Sequence, residues 1–427
     1  MPKPKSQKPT KPKHPIHSNK LRLTIFITIF ATVSVFGISF ITGNQQQSGV
    51  GNSSASAIEP ADINNDNTVN VLDLSYMLGK WKTTDTLADL NQDGLVNVLD
   101  LSRLLAKWGP VSVGPSQKPG STNTGVPAGQ TLTIPITNTA LGISVATNGN
   151  VTISKSGTFS NMLVKGRLYI KASNVTVKYS KIEGSPSPYD LPETPLSEAE
   201  CLAIPKPYPS TAAVLATDGY PGVVIEDSEV VIAKENVFTD GIRGHNMTIR
   251  RVKIAGGIDG VGVYKNGAAN TVIQDSWIYN MNVEPFSPFH GCDEPTHSDG
   301  IQVHYGSNIR ILRNNIEAKT STGTRVNAAI MVNENGGFVT SDLWFNDNWA
   351  DYGQCSVNVY KGVSTGGISN IQVNNNKFGK NQRVIVNGQP CAMMVDIATK
   401  ANVTNQFTGN VWEDGSQPPP AVVGNTN

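Results

Sequence analysis

The chain has 427 residues, enough for two or three domains whose cores need no external staple, and an overall charge of only +1. Lys3, Lys5, Lys8, Lys11, Lys13, Lys20 and Arg22 all precede the first acid, Glu59, so residues 23–427 carry −6 once those seven cations are subtracted from +1. A mildly acidic body without a basic stripe excludes nucleic acid as the partner of the folded part.

The basic tail, residues 1–22, leads into residues 23–42 (LTIFITIFATVSVFGISFIT), which carry no charge and reach the ~20 residues that a bilayer-crossing helix needs. Cations on the N-terminal side alone place the tail in the cytoplasm and residues 43–427 outside, as a single-pass protein of the cell membrane. A cleaved signal peptide is the alternative, with Ala55-Ser56-Ala57 as its small-residue site; that site lies well past the apolar run, and an uncleaved anchor is expected. Cys201, Cys292, Cys355 and Cys391 all fall in the exported part, where disulfides can form and three pairings are open.

Two stretches rich in Gly, Ser, Pro, Asn and Thr, residues 43–60 and 110–130, read as linkers around a small module at 61–109. That module repeats itself: Val69-Asn-Val-Leu-Asp-Leu-Ser75 recurs as Val96 to Ser102, and Lys80-Trp81 as Lys107-Trp108, both at an offset of 27 residues. Before each copy stands an oxygen-rich loop. The first offers Asp62, Asn64, Asp66, Thr68, Asn70 and Asp73, and the second Asp89, Asn91, Asp93, Leu95, Asn97 and Asp100. Side-chain oxygens at positions 1, 3, 5, 9 and 12, with the backbone carbonyl at 7 (Thr68, Leu95), match what Ca²⁺ requires. Asx-turns and helix caps are the plainer reading of the same residues. Val71, Leu72, Leu74, Met77, Leu78 and Trp81, with counterparts from Val98 to Trp108, recur at helical spacing and are expected to form mostly mutual core. Asp rather than Glu at position 12, and no entering helix, make the module resemble the type I dockerin family over nearly all of residues 61–109. The resemblance implies two bound Ca²⁺ ions and docking onto a cohesin-type domain of another protein, through Val71-Leu72 and Val98-Leu99.

Residues 131–420 carry a looser repeat. Eight apolar-x-apolar segments begin at Val175, Val223, Met247, Thr271, Ile309, Leu343, Ile371 and Asn405, spaced 48, 24, 24, 38, 34, 28 and 34 residues apart. A minimum near 24, with insertions such as 185–211 and 281–296 absorbing the excess, suits one turn of a solenoid. Asn314-Asn315 and Asn374-Asn375-Asn376 suggest stacked corner asparagines. The expected fold is an all-β right-handed parallel β-helix, joined to the small all-α calcium module and the N-terminal transmembrane helix; a β-sandwich is the alternative.

A second strand aligns in five coils, beginning at Asp240, Asp259, Asp299, Ala328 and Cys355. Alternation sends Ile242, Val261, Val263, Ile301, Val303, Ile330, Val332, Val357 and Val359 inward. Solvent-facing columns then follow: Arg243, Gln302, Met331 and Asn358; His245, Tyr264, His304, Asn333 and Tyr360; Lys265, Tyr305, Glu334 and Lys361. Tyrosines can stack on sugar rings, while Asn, Gln and Arg bind hydroxyls or carboxylates. The stretch Thr296-His-Ser-Asp-Gly-Ile-Gln302 and the Asp-Gly turns resemble the pectate-lyase-like β-helix superfamily, which implies a polysaccharide as partner and a lyase or O-glycosyl hydrolase activity. The chain lacks the Asn-Thr-Asp and Asp-Asp set of polygalacturonases and the Asp-Pro-His of alginate epimerases.

For β-elimination of a uronate, Lys265 or His304 is the expected base and Arg243 or Lys361 the partner of the carboxylate. For hydrolysis, Asp299 and Glu334 are the candidate acids. The plainer reading of Asp240 and Asp259 is a corner aspartate bonding its own turn, with Gly supplying the backbone angle. Asp299 is set apart by nearby histidines, and His290, Asp293, His297 and Asp299 form a lesser metal-site reading. A non-catalytic carbohydrate-binding surface or a plain stalk are the competing functions.

Overall fold

The computed structural model describes residues 60–424 except 64–67, 86, 92, 111–116, 185–195, 209–210, 233–236, 334–336, 361–366, 397–406 and 418–421. The expected cytoplasmic tail and membrane segment lie outside the described residues. No helix among the described residues is long and apolar enough to cross a membrane.

The small module contains two nine-residue helices, Val71–Gly79 and Val98–Ala106, each started by an asparagine N-cap. Asn70 and Asn97 accept the Leu72 and Leu99 amides at 2.7 Å, and Asp73 and Asp100 bond back to the cap amides at 2.9 and 2.8 Å. Two orphan donors per helix are thereby satisfied, which lets such short helices form. Strands Thr68–Val69 and Gly109–Pro110 pair antiparallel and tie the ends of the module together.

The expectation of a mostly mutual helical core is corrected here. Met77 and Leu104 are fully buried, and Leu74, Trp81 and Leu101 pack partly against them. Val71, Leu72, Leu78, Val98, Leu99, Leu105 and Trp108 are exposed, Val98 at 61%. A helix of two and a half turns turns only one stripe inward, and loop positions 10 and 11 lie off that stripe.

The larger part is a parallel β-helix. A representative coil runs through Thr239–Gly244, Met247–Arg250 and Lys253–Ala255, one strand on each of three faces, here A, B and C. Face B pairs Thr176 with Val224, Val223 with Met247, Thr248 with Val272, Thr271 with Ile309, Ile309 with Leu343 and Leu343 with Ile371, all parallel. These separations reproduce the repeat spacings read from the sequence; the last start, Asn405, lies outside the described residues. Antiparallel pairs among the described residues are short, as at Ile143–Val145 with Val151–Ile153, which removes the sandwich alternative. Isoleucines, valines and small residues of successive coils stack into one continuous core.

At one corner, Asn314, Asn348, Asn376 and Asn410 form a buried ladder. Each of the first three donates its own backbone amide to the side-chain oxygen of the next, at 2.8, 2.9 and 3.0 Å, and Asn348 Nδ2 also donates to the Ile311 carbonyl at 2.9 Å. The residue before each of the first three has positive φ (Arg313, Asp347, Asn375), so the turn leaves backbone groups that an asparagine side chain can satisfy. Asn348→Ala is expected to cost roughly 2–4 kcal/mol in urea unfolding, because it strands buried groups in two neighbouring coils. A change below about 0.5 kcal/mol would contradict the ladder's role.

The insertions at 185–211 and 281–296 are pinned to each other. The Cys201–Cys292 disulfide joins a short helix, Glu198–Leu202, to the segment just past a 3₁₀ turn, Pro288–His290; Cys355–Cys391 closes a second loop. The expected linker 110–130 is also corrected in part: Pro119 accepts from Asn315 Nδ2 at 2.9 Å and Gly125 donates to the Arg251 carbonyl at 2.9 Å, so this segment lies along the helix side.

Candidate functional site

Face A carries the first of the expected columns, with Gly262 filling the place between Arg243 and Gln302. Arg243 pairs with Gly262, Gly262 with Gln302, Gln302 with Met331 and Met331 with Asn358, while the inward valines and isoleucines of the same strands are at most 2% exposed. The next column continues through ladder bonds from Asn333 N to the Val303 carbonyl (2.8 Å) and from Tyr360 N to the Val332 carbonyl (2.9 Å). Between Val263 and Tyr264 the register slips, and Tyr264 pairs with Tyr305 along the backbone.

The column side chains engage one another rather than standing free. The Tyr264 and His304 rings stack at 4.0 Å and 17°, and the Arg243 guanidinium lies 5.1 Å from the Tyr264 ring centre. Tyr305 meets Tyr264 edge-on at 6.3 Å and Phe338 at 4.7 Å. Gly262 makes this possible, since a Cβ there would come within 2.9 Å of the Tyr264 ring. Tyr264 therefore lies in a stack of planar protein groups, so Tyr305 and Phe338 are the better candidates for stacking on a sugar. Phe338 was not identified from the sequence, because it lies just before the strand Thr340–Asn346 in a stretch of sequence without periodicity.

Electrostatics follow from this packing. Burial and then the Arg243 charge hold the His304 pKa down to about 3, so its imidazole is neutral through the physiological range. Burial and then Asp240 push the Tyr264 phenol upward. Arg243 Nε donates to Asp240 Oδ2 at 2.9 Å and the guanidinium stays charged. His245, expected to face solvent, is buried instead; burial and then Lys265 lower its pKa. Lys265 itself is half-buried inside the strand Val261–Gln274, at the register shift that follows Tyr264, and Glu334 and Lys361 lie outside the described residues.

The three Asp-Gly pairs form one buried series, with Asp240, Asp259 and Asp299 at 2%, 4% and 0% exposure. Asp240 Oδ1 accepts the Asp259 amide at 3.3 Å and Asp259 Oδ1 the Asp299 amide at 2.9 Å, while Asn327 Nδ2 donates to Asp299 Oδ1 at 3.0 Å. Each aspartate thus serves the next coil rather than its own turn, and Asp299, expected as a surface acid, is sealed inside the same series. The glycines are needed for space: a Cβ on Gly241, Gly260 or Gly300 would meet the next coil's carbonyl oxygen at 2.5, 2.5 and 2.6 Å.

Burial, then Asp240 and Asp299, push the Asp259 carboxyl well above the usual carboxylate range, and burial does the same to Asp299. A folded pKa above the unfolded value of about 3.9 gives stability that is fully present below about pH 4 and lost as pH rises through the folded pKa. Asp259→Asn keeps an acceptor for the Asp299 amide. It is expected to match or exceed the parent's stability at pH 7 and to flatten the decline in stability from pH 4 to pH 8; parallel curves would contradict this.

In the small module, the second loop brings its oxygens together. Asp89 Oδ1 accepts the Asp93 amide at 3.2 Å, Asp100 Oδ1 the Asn91 amide at 3.0 Å, and Asp93 Oδ2 the Asn97 side chain at 3.3 Å. Asp100 is fully buried and Asp89 nearly so. Buried carboxylates beside Asp93, Asn91 and the Leu95 carbonyl are a donor set that fits a hard divalent cation. Asn97 Oδ1, expected as a ligand, is engaged as the helix cap. In the first loop Asp62 and Asp73 are buried in the corresponding places, and Asn64 and Asp66 lie outside the described residues.

At the strand-start edge of face A, a cavity of about 550 Å³ is lined by Leu202, Ile204, Lys206, Tyr208, Pro288 and Phe289. Phe238, which precedes the face A strand Thr239–Gly244, packs on Tyr208 and Phe289 at 6.1 and 5.8 Å. The pinned insertions therefore form a wall beside face A.

No family model and no curated protein matches the chain. Among solved structures, the Dettilon tailspike protein gp208 aligns with 62% of this chain and 54% of its own length at 15% identity, with a TM-score of 0.36. DFA-IIIase from Arthrobacter chlorophenolicus A6, without its lid, aligns over 60% and 69% at 11% identity and a TM-score of 0.28. Tailspike gp49 from Acinetobacter baumannii bacteriophage Fri1, a capsular polysaccharide depolymerase, aligns over 62% and 57% at 9% identity and 0.29. The chain spans about half the length of the first of these. The parallel β-helix assignment rests on the chain's own pairing ladders.

Proposed function

We propose that the chain is an exported carbohydrate-active protein that binds an acidic polysaccharide along face A and cleaves it by β-elimination. The reading is carried by the Arg243–Tyr264–His304 stack beside Lys265, a cation and a half-buried amine on a rigid sheet flanked by Tyr305 and Phe338. Arg243 would neutralise part of the uronate carboxylate charge and so acidify the C5 proton; Lys265 would remove that proton, the C4–O bond would break as the C4=C5 double bond forms, and the departing oxygen would leave as a hydroxyl after taking a proton from water. With a pKa of about 3, His304 is a poor proton store and serves as a neutral hydrogen-bonding and positioning group. Hydrolysis draws less support because Asp299 is sealed.

The small module would deliver the enzyme to a partner. Under this reading it binds two Ca²⁺ ions and presents Val71, Leu72, Val98 and Leu99 to a cohesin-type domain, consistent with the exposure of all four. The chain would be held at the cell membrane through residues 23–42.

The test is product analysis after incubating the exported part, residues 43–427, with uronate-containing and neutral glycans. Unsaturated oligosaccharides from a uronate glycan support elimination, and new reducing ends without unsaturation would replace it by hydrolysis. Binding without turnover would identify a non-catalytic carbohydrate-binding surface.

A further inference from the structure

We propose a binding site for a borderline divalent metal ion, of the Zn²⁺ class, formed by His290, Glu294 and His297 in the 281–296 insertion and the strand approach after it. One ligand-capable atom from each of the three lies within 4.8 Å of the other two. His290 Nδ1 is 3.8 Å from Glu294 Oε1, His297 Nε2 is 3.7 Å from Glu294 Oε2, and the two imidazole rings are 4.0 Å apart. Donors bound to one tetrahedral Zn²⁺ at about 2.0–2.1 Å stand about 3.3 Å from each other, so small side-chain rotations close the set. Such rotations are accessible, because the Glu294 and His297 side chains are 51% and 52% exposed.

The backbone beneath these side chains is already fixed. The Ser287 carbonyl accepts the His290 and Cys292 amides at 3.0 and 2.9 Å, Ser287 N donates to the Glu294 carbonyl at 2.9 Å, and Thr296 N donates to the Glu284 carbonyl at 2.9 Å. Cys292 is bridged to Cys201, which anchors the turn between His290 and Glu294. Two imidazoles and one carboxylate select against Ca²⁺ and Mg²⁺, which prefer oxygen ligands, and leave a fourth tetrahedral position open. This set differs from the grouping expected from the sequence. Asp299 is committed to the buried series, and Glu294 supplies the carboxylate. A metal here would lock the wall that borders face A.

Untagged protein, stripped with a chelator and then saturated with Ca²⁺ to occupy the oxygen-rich loops, can be titrated with Co²⁺. One equivalent with the visible absorption of a four- or five-coordinate Co²⁺ centre, displaced by Zn²⁺, is expected. Glu294→Gln should weaken binding at least about 10-fold, and the double variant His290→Ala/His297→Ala should abolish the band. His297→Ala alone, at a half-exposed position, checks the result if the double variant is unstable, and should also weaken binding at least about 10-fold. Absence of the band in the parent, or its persistence unchanged in the variants, would overturn the site. Neither outcome depends on glycan turnover.

Discussion

Replacing Lys265 by alanine is expected to lower turnover of a uronate glycan by roughly 10²–10⁴-fold, the usual range for loss of a positioned base. The side chain is half-buried at the register shift within the strand Val261–Gln274, outside the core, so urea unfolding is expected to change by no more than about 0.5 kcal/mol. The size of the effect follows from the lack of a substitute among the described groups. Asp299 is sealed, Arg243 is paired with Asp240, and His304 is held to a pKa of about 3. His304→Ala should cost less in rate and more in substrate binding, because it removes the ring stacked on Tyr264. The same pKa predicts that the pH–rate profile has no limb between pH 5 and 7 from His304. Such a limb, lost in His304→Ala, would return the base role to His304. Unchanged turnover in Lys265→Ala would remove Lys265 from the chemistry.

Chelating Ca²⁺ is expected to unfold the small module while leaving the β-helix intact. Asp100 is fully buried at the start of Val98–Ala106 and Asp73 at the start of Val71–Gly79. Without a cation, the clustered carboxylates of the second loop repel one another, and helices this short do not persist in water unaided. Calorimetric titration should give two ions per chain. Chelator should remove helical ellipticity and open residues 61–109 to protease, with the larger part still resistant. A chain that binds no Ca²⁺ would refute the calcium reading of both loops.

Much of the architecture was legible because a parallel solenoid repeats one local rule. The spacings from Val175 to Ile371 reappear as the pairing offsets, and the asparagine corner appears at Asn314, Asn348, Asn376 and Asn410. Positions along face A were also legible, since alternation fixes which side chains point inward. Their environment was not. A column read from one strand does not reveal that Tyr264 stacks on His304, or that Arg243 folds back onto Asp240. Asp240 and Asp259 were read as bonding their own turns and Asp299 as a candidate acid, whereas the hydrogen bonds of all three reach the neighbouring coil and the glycines after them make room for its carbonyls. The disulfide pairing and the Phe338 and Phe289 contacts depend on insertions that carry no period. In the small module, helical spacing marked the apolar positions correctly but could not tell the one buried stripe from the exposed one.

The central claim, that an acidic glycan lies along face A, is tested most directly by comparing binding to variants that add one negative charge on different faces. Met331 and Asn358 are half-buried neighbours in the column of face A that begins at Arg243, whereas Gln372 is half-buried on face B beside Trp344. With a uronate oligosaccharide as the probe, Met331→Glu and Asn358→Glu are each expected to raise Kd at least about 10-fold at low salt, and Gln372→Glu to leave it unchanged. Equal affinities for all three variants and the parent, or a loss confined to Gln372→Glu, would contradict the placement of the glycan on face A.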